Sequence, residues 1–193
     1  MGIEVFLSVL EGLALIMITT LGGSLAFKIT GAAVSSLGTV LVFCGAVLVV
    51  ILGGYGSAVG IRISGSQAAG VLSEKPELFG KMFVIMALPG TQGFYSFVCG
   101  IMIVVLSGVT KGGPPISLGK GIALLAVGVC VGIIERQSAI YQGQSSAAAE
   151  SLVGRQPSSS GQAILIPALV ETYAVIGLVS GILLILWISQ AAF

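Results

Sequence analysis

Residues 57–106 read SAVGIRISGSQAAGVLSEKPELFGKMFVIMALPGTQGFYSFVCGIMIVVL, and they can be laid on residues 138–187 without a gap at a constant offset of 81 positions. Identical pairs recur along this alignment: Ser57 on Ser138, Pro76 on Pro157, Gly80 on Gly161, Thr91 on Thr172 and Gly100 on Gly181. Because internal repeats report architecture, the sequence predicts two homologous units in tandem. One difference between the copies stands out, because the first has Gly90 where the second has a carboxylate, Glu171, inside an apolar stretch.

Composition places both units in a membrane. The mean hydropathy is +1.14, and only 8% of the residues are charged. Several stretches exceed the ~18 apolar residues that indicate a spanning helix. Strand-like alternation is absent, and helices satisfy their own backbone groups in lipid. The sequence therefore predicts an all-α, multi-pass protein of the cell membrane, with the lipid bilayer as a partner.

The apolar residues form five segments, at 3–27, 29–61, 82–110, 116 to beyond 142, and 162–193. Polar turns at 73–77 and 154–160 and a Gly-Gly-Pro-Pro break at 112–115 separate the last four. These boundaries predict an extra N-terminal hydrophobic helix at 1–28, a first helical hairpin at 37–110 and a second at 116–193. The first segment could also be a signal peptide or an interfacial helix. It begins Met-Gly-Ile-Glu, with an acid where a signal peptide has a base, so we favour an uncleaved helix.

Several function classes are excluded by what the sequence lacks. It contains no histidine and no aspartate, and its net charge is +1 with no basic tract, which argues against a nucleic-acid partner. Cys44, Cys99 and Cys130 lie in separate apolar runs without metal-ligand spacing. No phosphate-binding or dinucleotide fingerprint is complete. These absences exclude histidine acid–base chemistry and histidine metal sites, and the sequence contains no cofactor-binding motif.

Glu171 is singled out by its position alone, since it lies near the middle of the fifth segment with apolar residues on both sides. An ionised carboxylate at the centre of a membrane helix costs about 2.5–3.5 kcal/mol even on mild insertion scales. Such a group either holds a proton or neutralises a bound cation. The alternative is a carboxyl that only hydrogen-bonds another helix.

The third segment supplies polar groups that can face Glu171. Leu88, Thr91, Gln92 and Tyr95 share one helical face at spacings of three, four and seven residues. Pro89 lacks an N–H, so nearby carbonyls can turn outwards. Carbonyl, hydroxyl and amide oxygens together suit a hard cation. Thr and Gln also form ordinary hydrogen bonds between membrane helices, and the same two interpretations apply to Gln142 in the fourth segment.

Three strings identify a family that the chain resembles: LPGTQG at 88–93, SAIYQG at 138–143 and VETYA at 170–174. They resemble the proteolipid (K, or c) subunit of V/A-type rotary ATPases, a duplicated four-helix rotor subunit, over about residues 37–193. In the sodium-translocating type, the resemblance implies that the ion is held by Glu171, Thr91, Gln92, Gln142 and the Leu88 carbonyl. It also implies that Tyr95 is hydrogen-bonded to the glutamate.

The resemblance implies a function as well. Such a subunit does not hydrolyse ATP; it forms a closed ring of identical copies and carries one Na⁺ per subunit as the ring rotates. Its expected partners are a stator subunit with a basic residue at the ring surface and a central-stalk subunit. A rotor that carries H⁺ instead of Na⁺ and a non-transporting membrane scaffold are the alternatives.

Glu135-Arg136 departs from the family pattern, because these two charges lie inside the third family helix, where apolar residues are expected. Glu135 is seven residues before Gln142 and therefore on a similar face. We expect the two charges to neutralise each other, or one of them to face the ring interior, rather than to form a second ion site.

Overall fold

A computed structural model describes residues 31–111 and 115–191, with side chains from residue 37 onwards. The α-helices are α1 (Gly31–Glu74), α2 (Phe79–Ala87), α3 (Thr91–Ser107), α4 (Leu118–Arg155), α5 (Ser160–Ala163) and α6 (Leu165–Gln190). Short 3₁₀ helices occupy Pro76–Leu78, Leu88–Gly90, Val109–Lys111 and Pro157–Ser159. The predicted N-terminal helix at 1–28 lies outside the described residues.

Four helical stretches are long and apolar enough to cross a membrane. We name them the first to fourth spans: Leu37–Glu74, Pro76–Ser107, Leu118–Arg155 and Pro157–Gln190. Residues 31–111 and 115–191 contain no strand. Consecutive spans form two hairpins, which confirms the predicted all-α membrane fold built from a duplicated hairpin.

The two hairpin turns lie at the same end of the bundle and are tied together. Lys75, in the first turn, donates from its Nζ to the Gly154 carbonyl oxygen at 2.6 Å. Lys81 donates to the Pro157 carbonyl oxygen at 2.7 Å. A proline follows each long helix in these turns, where its fixed φ suits the first position of a new helical turn. We call this end of the bundle the turn end.

The first and third spans pack against each other through facing glycines. We call this contact the glycine seam and define it by Gly38, Gly45 and Gly60 of α1 and Gly121, Gly128 and Gly143 of α4. A methyl group at Gly121, Gly128 or Gly143 would overlap backbone atoms of Gly38, Gly45 or Gly60, respectively. Small residues allow membrane helices to approach this closely, so the seam fixes the relative position of the two hairpins.

The buried apolar side chains form two clusters at different depths. The cluster far from the turn end includes Val49, Ile103, Leu124 and Ile185, whereas Met82, Ile85 and Val153 belong to the cluster near it. Buried polar side chains lie between these two clusters and extend to the depth of the one near the turn end: Ser57, Ser64, Gln92, Ser96, Glu135, Ser138, Gln142, Ser146 and Glu150. Polar groups this deep need internal partners, and the candidate site lies among them.

Candidate ion-binding site

The Glu171 carboxylate accepts hydrogen bonds from two other spans. The Tyr95 hydroxyl of α3 donates to its Oε1 at 2.7 Å. The Gln142 amide of α4 donates to its Oε2 at 3.3 Å. The second, third and fourth spans therefore meet at this single carboxylate, which lies on α6 after Pro167. That proline falls in the first turn of α6, where a helix loses no hydrogen bond to it.

Two glutamines connect the carboxylate to the interior of the bundle. Gln92 and Gln142 are both fully buried. The Gln92 amide donates to Gln142 Oε1 at 2.5 Å and to the Ser138 hydroxyl at 3.4 Å. The second N–H of Gln142 donates to the Pro167 carbonyl at 3.2 Å. Buried amides with all their donors bonded are held in one orientation, so the network presents a defined N–H of Gln142 to Glu171.

Pro89 shapes the other side of the site. It interrupts the second span, because the 3₁₀ turn Leu88–Gly90 separates α2 from α3. The Thr91 hydroxyl lies 3.0 Å from the Leu88 carbonyl oxygen and 3.3 Å from Gln92 Oε1, so it can donate to either. The break places a backbone carbonyl, a hydroxyl and an amide oxygen close together along the chain.

The structure brings together all six residues that the sequence singled out: Leu88, Thr91, Gln92, Tyr95, Gln142 and Glu171. Sequence reasoning missed the contribution of Ser138, which accepts from Gln92 and donates to the Val170 carbonyl at 3.3 Å. Two signals could have found it. Ser138 lies four residues before Gln142 on the same helical face, and its repeat partner is also a serine, Ser57.

One side of the site is open in the single chain. Glu171 is half-buried, whereas the neighbouring Leu169 and Tyr173 are 69% and 71% exposed. Phe94 on α3 is 72% exposed at a similar depth. This uncovered apolar surface needs lipid or another protein chain against it.

The equivalent position in the first hairpin has different chemistry. Gly90 replaces the glutamate, and Ile61 stands where the second copy has Gln142. A methyl group built on Gly90 would lie 3.3 Å from Cδ1 of Ile61. The first copy therefore has an apolar side chain where the second has an amide.

Of the two alternatives expected for Glu135 and Arg136, mutual neutralisation is wrong, whereas the other, that one of them faces the ring interior, stays a prediction. The Arg136 guanidinium lies over the Tyr55 ring, 5.4 Å from its centroid. The Glu135 side chain is fully buried, and neither of its oxygens has a hydrogen-bond partner within residues 31–111 and 115–191. Consecutive residues on a helix project about 100° apart, which sends the two charges to different faces of α4.

Comparison with known proteins agrees with this architecture. The sequence profile of the ATP synthase C-subunit family matches the chain twice, at residues 44–103 and 121–184, once in each hairpin. The chain is 34% identical to the V-type sodium ATPase subunit K of Enterococcus hirae over 136 residues, which cover 70% of this chain and 84% of that protein. It is 37% identical to the A-type ATP synthase subunit K of Methanocaldococcus jannaschii over 146 residues, which cover 76% of this chain and 62% of that protein.

Proposed function

Because this chain belongs to the ATP synthase C-subunit family, as a proteolipid subunit of V/A-type ATPases, we propose that it is a rotor subunit that binds one Na⁺ at Glu171. One observation carries the proposal: polar side chains from the second and third spans converge on a single carboxylate in the middle of the fourth span. The name of the Enterococcus relative, a sodium ATPase subunit, supports the choice of ion.

The donor set suits sodium because it is made of oxygens only. Glu171 supplies the charge, and Thr91, Gln92, Gln142 and the Leu88 carbonyl supply neutral oxygens. Hard cations prefer such ligands, which replace their hydration shell. Gln142 directs its amide nitrogen at Glu171 and its oxygen at the Gln92 amide. Sodium binding would need a half-turn of both amides, so that Gln142 directs its oxygen at the ion and donates its N–H to the Gln92 oxygen; a half-turn changes the shape of an amide very little. The Tyr95 hydroxyl donates to the carboxylate and fixes its orientation.

A closed ring of identical copies would complete the site. The open side of Glu171 is bordered by exposed apolar side chains, including Leu169 and Tyr173. A second copy packed there would exclude water from the ion. The faces that remain uncovered, such as that around Trp187, would contact lipid.

Transport then follows from competition at Glu171. A basic residue of a stator subunit, brought to the open side as the ring turns, would attract the carboxylate and displace Na⁺. A central-stalk subunit would couple the ring to a separate ATPase motor. In this proposal the chain itself catalyses no reaction, because its site binds and releases a cation without changing any covalent bond.

A proton rotor is the second candidate. The Tyr95 and Gln142 donors would equally stabilise a carboxylate between protonation events. The name of the Methanocaldococcus relative specifies no ion. The third candidate is a membrane scaffold in which Glu171 only links helices. Loss of ATP-driven transport when Glu171 is labelled would exclude this candidate.

Carbodiimide labelling of Glu171 in the assembled complex tests the ion. The reagent modifies a protonated carboxyl, so bound Na⁺ should protect Glu171. Since Na⁺ and H⁺ compete, the sodium concentration that gives half-protection should fall as pH rises, until the carboxyl is fully ionised. Gln92→Ala or Gln142→Ala should abolish protection by millimolar sodium near neutral pH.

The chain offers its own matched control. Thr91 and Thr172 are repeat equivalents, and each hydroxyl lies near the carbonyl oxygen three residues back, Leu88 or Leu169. Thr172 is exposed away from the network. Thr91→Val should weaken sodium protection by about tenfold, the effect of losing about 1.4 kcal/mol, whereas Thr172→Val should have little effect. Labelling that is insensitive to sodium at every pH would make this a proton rotor.

A further inference from the structure

A second carboxyl lies inside the bundle, at a place that the sodium site does not use. Glu135 on α4 is fully buried, and both its oxygens lack hydrogen-bond partners among the described residues. It lies one turn beyond Ser138 and two turns beyond Gln142, on the side away from the turn end. The polar network around Glu171 therefore ends before it reaches Glu135.

The space for this carboxyl is made by Gly177 of α6. A methyl group at Gly177 would lie 3.4 Å from Oε1 of Glu135 and 2.7 Å from Cγ2 of Ile134. Gly177 follows Glu171 by six residues, which is about 9 Å along a helix. Glu135 therefore occupies a separate pocket at a different depth from the sodium site.

Within the part of the chain that the structure describes, the pocket faces no positively charged group. Tyr95 and Cys99 of α3 are its ionisable neighbours, and the Tyr95 hydroxyl already donates to Glu171. From α1, Val49 and Leu52 face Gly132, one turn away on α4. The Arg136 guanidinium lies over Tyr55 and within 3.4 Å of Gln137 Oε1.

We propose that the Glu135 carboxyl is a second cation-binding site of the protomer, and that its ligand is a proton. An ionised carboxylate without a partner is far less stable in an apolar interior than the neutral acid. Sodium does not fit this pocket, because its neighbours are Gly177, an aliphatic side chain and a thiol, and the neighbouring Tyr95 hydroxyl already donates to Glu171. A hard cation needs several oxygens. This proposal does not depend on which ion Glu171 carries.

Infrared spectroscopy of the purified ring tests it, because the C=O stretch of a protonated carboxylic acid is separate from carboxylate and amide bands. The Glu171→Gln variant removes the transport carboxyl. In this background, Glu135→Gln is compared with Glu150→Gln. Glu150 is a suitable control, since it is also fully buried and its Oε2 also lacks a partner among the described residues, but its Oε1 accepts a hydrogen bond from Ser64 at 2.6 Å. A band from protonated Glu150 would therefore lie at lower frequency.

We expect a protonated-acid band at neutral pH in the Glu171→Gln ring, at the high-frequency end of the range because the acid is not hydrogen-bonded. Glu135→Gln should remove this band, and Glu150→Gln should leave it. Should the Glu135→Gln ring fail to assemble, Glu135→Asp should shift the band. A spectrum that is unchanged by substitution at Glu135 would overturn the proposal.

Binding of radioactive sodium gives an independent measurement that needs no change at Glu135. The Glu171→Gln ring should bind no sodium. If the Glu171→Gln ring bound one sodium per subunit, another carboxyl would bind the metal ion. The proposal would be overturned if adding Glu135→Gln to this ring abolished that binding. If the unaltered ring also binds none, the proposed sodium transport fails, but the infrared comparison still decides the ligand of Glu135.

Discussion

At the scale of single residues, the site combines a charge with groups that orient it. Glu171 supplies the charge and Tyr95 orients it. The tyrosine hydroxyl donates to Oε1 at 2.7 Å and leaves other lone pairs of the carboxylate for a cation. Hydrogen bonds to charged groups contribute about 1.5–3 kcal/mol. The orientation of the carboxylate should therefore matter measurably for ion binding.

Tyr95→Phe tests this contribution, because it removes only the hydroxyl and keeps the ring. We expect sodium to bind about tenfold more weakly, near the lower end of that energy range because Tyr95 is only half-buried. The measurement is the sodium concentration that half-protects Glu171 from carbodiimide. Tyr141→Phe is the matched control, since Tyr141 is 54% exposed next to Gln142. Equal effects of the two substitutions would contradict a specific role for Tyr95.

The sequence predicts much of this site because helical spacing alone places Leu88, Thr91, Gln92 and Tyr95 on one face. The connection of Gln142 to the Pro167 carbonyl was not predictable, since it depends on how two helices approach each other. The expected ion pair between Glu135 and Arg136 failed for a related reason. Their adjacency in sequence indicates an ion pair, but adjacent residues on a helix point in different directions.

At the scale of the helix, the glycine seam decides how closely α1 and α4 pack. Gly128 faces the Gly45 carbonyl, and a side chain there would overlap backbone rather than a movable group. The helices would have to separate along the seam to relieve the overlap. Gly70 of α1 is different, because no neighbouring element lies within 4 Å of the place that a methyl group would take.

Gly128→Ala should therefore destabilise the protein by about 1–3 kcal/mol, the usual effect of overpacking. Gly70→Ala should stabilise it slightly, by about 0.5–1 kcal/mol, because alanine loses less backbone entropy in a helix. Thermal unfolding of the detergent-solubilised protein, followed by circular dichroism, compares the two. A higher midpoint for Gly128→Ala than for Gly70→Ala would show that the seam is not tightly packed.

Helix ends were harder to predict than helix positions. The apolar segment at 29–61 ends before Arg62, but α1 continues to Glu74. Hydropathy marks where a helix leaves lipid, whereas backbone hydrogen bonds continue until a residue such as Pro76 prevents them. The turns predicted at 73–77 and 154–160 are present but shorter, at 75–78 and 156–159, and they were recognisable because proline and polar residues occur together there.

At the scale of the whole molecule, duplication has produced two hairpins of similar shape and different chemistry. If Glu171 binds sodium as proposed, an acid placed at Gly90 in the first hairpin should not create a second sodium site. Ile61, Tyr173 and Ile176 occupy the repeat positions of Gln142, Gln92 and Tyr95. A carboxyl placed there would have no comparable set of oxygens around it.

Gly90→Glu should thus leave sodium binding at one ion per subunit, measured with radioactive sodium on purified rings. Any carbodiimide labelling of the introduced glutamate should be insensitive to sodium, because the acid would remain protonated. Binding of two sodium ions per subunit would show that the surrounding residues matter less than the carboxylate itself.

The absence of an acid at Gly90 also sets how many ions the proposed rotor carries per revolution. A ring of such subunits carries half as many ions per revolution as a ring with one carboxylate in every hairpin. Each ion moved against 100 mV requires about 2.3 kcal/mol, so the electrical work per revolution is also halved. For the same free energy of ATP hydrolysis per revolution, the ring can work against about twice the ion-motive force. With a glycine in place of a glutamate, the ring moves fewer ions per revolution but can move them against a steeper gradient.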